Sequence, residues 1–278
     1  MQGSSWNNIY DSFDPIAFYI FSFPVHWYGL MYALALISAL YIGKYFIKKD
    51  KIDIDVKHLD IYFVYVEIGV ILGARLGYIL FYDTQTSYYL LNPWQIFNPF
   101  VDGEFVGIRG MSYHGAVFGF LIGTYFYSKK YKTSFGKLMD LVAISIPLAF
   151  VFGRIGNFLN QELIGRETNI GWGIYVDGVL RHPSQLYEAF LEGVLVFVVV
   201  YIYRNYQKFS GELILIYAIS YGFFRAIAEI WRAPDVQIGY ICCNTITQGQ
   251  VMSVGMSLIS IIIWIYYYKK SKSLNLNK

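Results

Sequence analysis

The sequence predicts an all-α integral membrane protein: a bundle of about seven transmembrane helices, N-terminus outside and C-terminus inside, carrying a small outer-face head and arm. Three observations predict it. Hydrophobic residues make up 56% of the 278 residues and charged residues only 15%, with a mean hydropathy of +0.42, whereas soluble domains carry about 25% charged residues. The apolar residues gather in runs approaching the roughly 20 residues that a membrane helix needs. The cations fall overwhelmingly between alternate runs.

The runs extend approximately over Trp27–Phe46, Ile61–Tyr82, Tyr113–Tyr127, Leu138–Phe152, Leu186–Tyr203, Leu213–Ile230 and Met252–Tyr268. The third is interrupted by glycines and the fourth is short. Ahead of the first run stand Asp11 and Asp14, and the first cation is Lys44. No basic start suitable for a cleavable signal peptide is therefore expected. Lys44, Lys48, Lys49, Lys51 and Lys57 follow the first run, and Lys129, Lys130, Lys132 and Lys137 follow the third. Arg204 and Lys208 follow the fifth, and Lys269, Lys270, Lys272 and Lys278 form the tail, so that 15 of the 22 cations lie on one side. Cytoplasmic loops are enriched in Lys and Arg close to span ends, which orients the chain.

One polytopic membrane domain is expected over residues 1–278, with no internal repeat and no separable soluble domain. Two outer loops are long. Residues 83–112 are rich in aromatics and prolines (Tyr88, Tyr89, Pro93, Trp94, Phe97, Pro99, Phe100); aromatic rings favour the headgroup level, and the loop reads as an arm along the membrane surface. Residues 157–185 form the head, in which the alternation and turn residues of Ile170–Gly178 predict a short hairpin. The adjacent Cys242 and Cys243 make neither a spaced disulfide framework nor a metal pair.

The remaining cations are all arginines: Arg75, Arg109, Arg154, Arg166, Arg181, Arg225 and Arg232. They lie within runs or on the outer side, where the orientation rule gives no reason for positive charge. A guanidinium grips phosphate or carboxylate with two parallel hydrogen bonds, so the set points to an anionic ligand. The plainer reading pairs them with Glu67, Glu162, Glu188 and Glu229 as structural ions. Tyr221, Arg225 and Glu229 follow at i, i+4 and i+8 on one helical face, with Arg232 a turn further. Ionisable groups in membrane helices face the bundle interior or a watery cavity.

Between Gly153 and Gly165 the chain carries Arg154, Asn157, Asn160 and Glu162 where it leaves the fourth run, with glycines that permit close backbone approach. Arg109–Gly115 opens the third run and brings His114 to the outer boundary. A histidine titrates near ambient pH and suits general base chemistry. His182, followed by Pro183 at a helix start, is a second candidate, with a capping or supporting role equally open to it.

Together these motifs resemble the bacterial phosphatidylglycerol–prolipoprotein diacylglyceryl transferases. The Gly153–Gly165 stretch is similar to the family signature. Trp27–Tyr28–Gly29, Gly73–Ala74–Arg75, the His114 segment, His182–Glu188, Tyr221–Asp235 and Gly249–Gln250 run in family order over nearly the whole chain. Ala116 departs from the pattern, where a second glycine is expected after His114–Gly115. The resemblance implies a transferase of the cytoplasmic membrane, working at its outer face. It would move the diacylglyceryl group of phosphatidylglycerol onto the lipobox cysteine thiol of prolipoprotein signal peptides, with glycerol phosphate leaving and with no metal or soluble cofactor expected. His114, Arg154 and Arg225 are then the catalytic candidates. Tyr28, Arg75, Asn157, Asn160, Glu162, Gly165, His182, Tyr221, Glu229 and Arg232 are the substrate-binding ones. Phosphatidylglycerol, signal peptides and membrane lipids are the expected partners, with no nucleic acid. A transporter of anionic solutes is the reading from another class, but it predicts repeats in the two halves, and a receptor-like bundle leaves the glycine–arginine–asparagine run unexplained.

Overall fold

The computed structural model describes residues 5–101, 103–105, 107, 110–234, 239–242 and 245–276. Arg109, Asp235, Cys243 and Lys278 lie outside them. Each of the seven apolar runs is helical: α1 (Trp27–Lys49), α2 (Leu59–Phe81), α4 (Tyr113–Tyr131), α5 (Phe135–Leu159), α6 (Ser184–Glu188) continuing through a π-helical turn (Ala189–Leu195) into α7 (Val196–Tyr203), α8 (Glu212–Ala228) and α9 (Gln248–Leu276). A short helix, α3 (Thr86–Leu91), lies in the first long loop. Besides short 3-10 turns, the described residues form four two-stranded hairpins: β1 (Ile16–Ile20) with β2 (Phe23–His26), β3 (Phe100–Val101) with β4 (Glu104–Phe105), β5 (Ile174–Val176) with β6 (Val179–Arg181), and β7 (Tyr240–Cys242) with β8 (Ile246–Thr247).

Among the described residues, five helices are long and apolar enough to cross a membrane: Trp27–Lys49, Val56–Phe81, Phe135–Leu159, Ser184–Tyr206 and Gln248–Ser273. The glycine-rich α4 is not among them. Nor is α8, whose 17 residues rise roughly 25 Å at 1.5 Å each, short of a 30 Å hydrocarbon core.

Contacts divide the chain into two compact units, Lys51–Leu138 and Met1–Asp50 with Met139–Lys278. In the first, α2 packs along α4 through facing glycines. A Cβ on Gly69, Gly73, Gly115 or Gly119 would overlap backbone of the opposite helix, so only hydrogen permits this separation. Beside the seam the Tyr62 hydroxyl meets buried Thr124 Oγ1 at 3.1 Å, and Ser112 caps α4 by accepting from the Gly115 amide. The Ser112 amide in turn donates to the Ala74 carbonyl at 2.9 Å.

In the second unit, the N-terminus of α8 is locked by two buried carboxylates. Asp140 of α5 accepts from the backbone amides of Gly211, Leu213 and Ile214 and from Gln207 Nε2, occupying the positive end of the α8 dipole. Glu212 accepts from the Tyr203 hydroxyl, Trp264 Nε1 and the Phe209 amide. Side chains of α5, α7 and α9 thereby hold the helix that carries Tyr221 and Arg225.

The head contains a hairpin, displaced from the expected Ile170–Gly178 stretch so that its second strand runs on to Arg181. Val176 pairs with Val179 across a two-residue turn in which Asp177 and Gly178 both have positive φ, the Asp-Gly geometry of tight hairpins. The N-terminal segment is stitched onto it: Asn7 Nδ2 donates to the carbonyls of Gly171 and Gly173, and Tyr10 packs with Phe158 and Ile174 in a small core. That docking was invisible to the linear reading, which left the first residues without a partner.

Candidate active site

The site grows from the C-terminal end of α5. Arg154 sits there against the Phe150 ring, its guanidinium carbon 4.6 Å from the centroid. Its Nη1 donates to Asn157 Oδ1 at 3.2 Å, and Asn157 Nδ2 donates to Glu162 Oε1 at 2.8 Å. The chain then turns sharply, with Gln161 and Leu163 at positive φ. Gln161 donates to the carbonyls of Tyr10 and Phe13, and fully buried Gln185 donates to the Glu162 carbonyl. The bend therefore has a fixed shape, and the Arg154–Asn157–Glu162 chain is held on it.

Arg154 does not stand alone. Its Nη2 lies 3.0 Å from Glu188 Oε2, which also lies 2.8 Å from Arg225 Nη1 and 3.7 Å from Arg232 Nη1. Arg225 further contacts Glu192 Oε1 at 3.1 Å and Glu229 Oε2 at 2.8 Å. Thr247 donates to the other Glu229 oxygen. Three arginines and three carboxylates thus form one network drawn from α5, α6, the π-helical turn, α8 and the turn beyond it. Glu188 and Glu192 are fully buried. Buried ions are tolerated only when paired, and the formal charges here balance.

Most of the predicted residues of this unit meet in or beside that network. The expected face of Tyr221, Arg225 and Glu229 exists, and the Tyr221 ring stands edge-on to Phe150, which carries Arg154. Tyr28 packs where α1 meets α5: a Cβ on Gly156 would come within 3.4 Å of its ring. Asn160 lies on the bend, its side-chain oxygen buried with no hydrogen-bond partner among the described residues. Gly165 is bridged to Arg232. A Cβ there would overlap the His182 carbonyl and lie 2.9 Å from that of Trp231. The signature glycines at 156 and 165 are thus spent on packing, and only Gly153 of the three faces open space. His182 Nδ1 lies 3.4 Å from the Tyr187 hydroxyl, which accepts from Trp172 Nε1. Burial holds its imidazole below the usual histidine value.

Arg75 and His114 belong to the other unit. Arg75 is buried on α2, where Nε donates to the Ile96 carbonyl at 2.5 Å and Nη1 to that of Gly110 at 3.3 Å, with the Tyr89 ring 5.2 Å away. It fastens the arm, a role the expectation of substrate binding did not include. His114 is exposed in the first turn of α4, edge-on to Tyr113. Glu192 was missed by sequence reading. Its only signal was a carboxylate four residues after Glu188 in an otherwise apolar run, the spacing that places two side chains on one face.

Residues 15–266 match the family model described as prolipoprotein diacylglyceryl transferase. A phosphatidylglycerol–prolipoprotein diacylglyceryl transferase of Campylobacter jejuni subsp. jejuni serotype O:23/36 (strain 81-176) is 60% identical, over 94% of this chain and 96% of its own. Those of Wolinella succinogenes, at 57% over 96% of this chain and 98% of its own, and Campylobacter lari, at 56% over 97% and 99%, are similar throughout. On this evidence of near full-length identity, the chain belongs to the prolipoprotein diacylglyceryl transferase family.

Proposed function

We propose that this chain transfers the diacylglyceryl group of phosphatidylglycerol to the lipobox cysteine thiol of prolipoprotein signal peptides, at the outer face of the bacterial cytoplasmic membrane. The thiolate sulfur attacks the glyceryl carbon that bears the phosphate. A carbon–sulfur bond forms as the carbon–oxygen bond breaks, the thiol proton passes to a base, and glycerol phosphate departs with the electron pair. The convergence of Arg154, Arg225 and Arg232 on one oxygen of Glu188 carries this reading.

Three guanidiniums cannot be gathered in an apolar bundle without an anion between them, and Glu188 is that anion at rest. A phosphate arriving beside it meets donors already oriented, which is how charge developing on a leaving group is stabilised without reorganisation. Arg154 is the best placed to shift its contacts toward a phosphate, because its Nε is buried without a hydrogen-bond partner among the described residues. Arg225 engages three carboxylates and acts as the fixed pole. Tyr28, Asn157, Asn160, Glu162, Gly165, Tyr221, Glu229, Arg232 and His182 shape the headgroup pocket, and Arg75 holds the arm. His114 takes the thiol proton, since attack requires thiolate character.

The positive-inside distribution supports seven crossings within one polytopic domain, with the arm (83–112) and head (157–185) outside. The helices α4 and α8 cross as shorter members, held by their glycine seam and by the Asp140–Glu212 lock. The test is reconstitution with phosphatidylglycerol and a lipobox peptide. Glycerol phosphate release with thioether formation is expected, and solute flux without release would assign a transporter instead. Normal lipidation by Arg154→Ala and Arg225→Ala proteins would remove the phosphate role. An unaltered activity–pH profile in His114→Gln would remove the histidine as base.

A further inference from the structure

The hairpin β1–β2 stands directly on the N-terminal end of α1. Its base is closed by the Trp27 amide donating to the Pro15 carbonyl at 3.0 Å, and its start by the Ile16 amide donating to Asp14 Oδ1. No Asp, Glu, Lys or Arg occurs from Pro15 to Gly43, so hairpin and helix form one uncharged stretch. The register shifts at a bulge between Ile16 and Phe18; beyond it successive strand residues point to opposite faces, and both faces are apolar or aromatic: Phe18, Ile20, Phe23 and Val25 on one, Tyr19 and Pro24 on the other. A hairpin with one wet face alternates apolar with polar residues, and this one does not.

The tip is more unusual. Ile20 pairs with Phe23 across Phe21–Ser22, and Phe21 has φ +54°, the turn position that glycine ordinarily fills. A bulky residue with positive φ is strained, yet Phe21 is 97% exposed and touches almost nothing, flanked by Tyr19 at 62%, Ile20 at 52% and Phe23 at 62%. Intramolecular packing therefore does not explain the aromatic tip. We propose that the β1–β2 hairpin is a lipid-surface contact, its tip seated at the headgroup–acyl boundary of the leaflet at the N-terminal end of α1. In the orientation proposed above this is the outer leaflet. Continuity with the apolar surface of α1, a membrane-crossing helix by length and composition, argues for lipid over a protein partner. The unpaired strand edges place the hairpin at the interface, because hydrocarbon leaves such groups unsatisfied while aromatic rings favour the headgroup level.

The head hairpin supplies the control, since its tip at Asp177 also has positive φ and is exposed, but is charged. Full-length protein with Cys242→Ser and Cys243→Ser, plus Phe21→Cys, Tyr19→Cys or Asp177→Cys, is labelled with an environment-sensitive fluorophore in nanodiscs of phosphatidylglycerol and phosphatidylethanolamine. Glycerol phosphate release at the parent rate certifies each fold. Labels at 21 and 19 are expected to emit to the blue of the label at 177, to resist iodide several-fold better, and to be quenched by headgroup-level nitroxide lipids. Iodide quenching equal to that at 177 overturns the proposal, including when protection appears only after a lipobox peptide is added, which would assign the hairpin to the peptide. Protection from iodide without nitroxide-lipid quenching overturns it too.

Discussion

Arg75 and Arg225 both sit largely buried on apolar helices, and the contacts described for them differ in kind. Arg75 donates to two backbone carbonyls of the arm and lies against tyrosine rings. Arg225 is met by three carboxylates, one of which it shares with Arg154 and Arg232. Carbonyl dipoles and ring faces need the planar fork at a fixed place, so Arg75 fastens chain to chain. Carboxylates match charge for charge and can exchange partners when another anion arrives, so the Arg225 network is suited to chemistry. The described contacts of the same residue type are thus backbone carbonyls and rings in one unit and carboxylates in the other.

The largest effect expected from breaking this contrast is on turnover. Arg154→Ala or Arg225→Ala should lower the rate of glycerol phosphate release by about 10²–10³, the scale of losing one preorganised donor, while Arg75→Ala should act chiefly through substrate affinity. A matching loss of turnover in Arg75→Ala, with affinity unchanged, would erase the distinction. Next comes Glu188→Ala, which leaves guanidiniums without their shared anion. Breaking a buried pair costs roughly 3–5 kcal/mol, so Tm in mild detergent should fall by several degrees, and Glu188→Gln should fall less because it keeps the shape.

Gly165→Ala sharpens the view that signature glycines serve packing. Overpacking costs about 1–3 kcal/mol, and the lowered Tm should accompany the lost activity; a normal Tm with no activity would instead place this glycine against the ligand. Arg75→Lys is expected in the same range. It retains the charge and loses the fork, and a charged hydrogen bond is worth about 1.5–3 kcal/mol. Limited proteolysis should cut faster within residues 83–112 while the rest of the chain stays protected. Asp177→Asn, at an exposed turn compatible with either residue, should stay within about 0.5 kcal/mol of the parent and calibrates the scale.

Much of the architecture was legible because its causes are local. Long apolar runs form helices wherever water is excluded, and all seven runs are helical. Asp177–Gly178 specifies a tight turn by its own backbone preferences, so the head hairpin could be read from a few residues. The arginines stood out because their positions disobeyed the charge distribution of the loops, and the i, i+4 spacing of Arg225 and Glu229 foretold their ion pair. The signature motifs, read in order, also pointed to the family that the relatives then showed.

Other features depend on residues far apart in the chain, and no local pattern encodes them. Which carboxylate meets which arginine was open: Glu188 was only one of four candidates, and Glu192 went unnoticed within an apolar run. The contacts of Arg75 with the Ile96 and Gly110 carbonyls were equally hidden, because every residue carries a carbonyl and no sequence distinguishes one from another. The glycines from 153 to 165 looked equivalent, yet two receive a neighbouring element and one faces open space. Sequence by itself determined the helices, the tight turn and the set of arginines outside the lysine-rich loops, since these follow from hydropathy, backbone preference and charge count. Only the tertiary structure decided how those arginines are neutralised, because pairing requires several distant elements to bring their side chains within about 3 Å of one another.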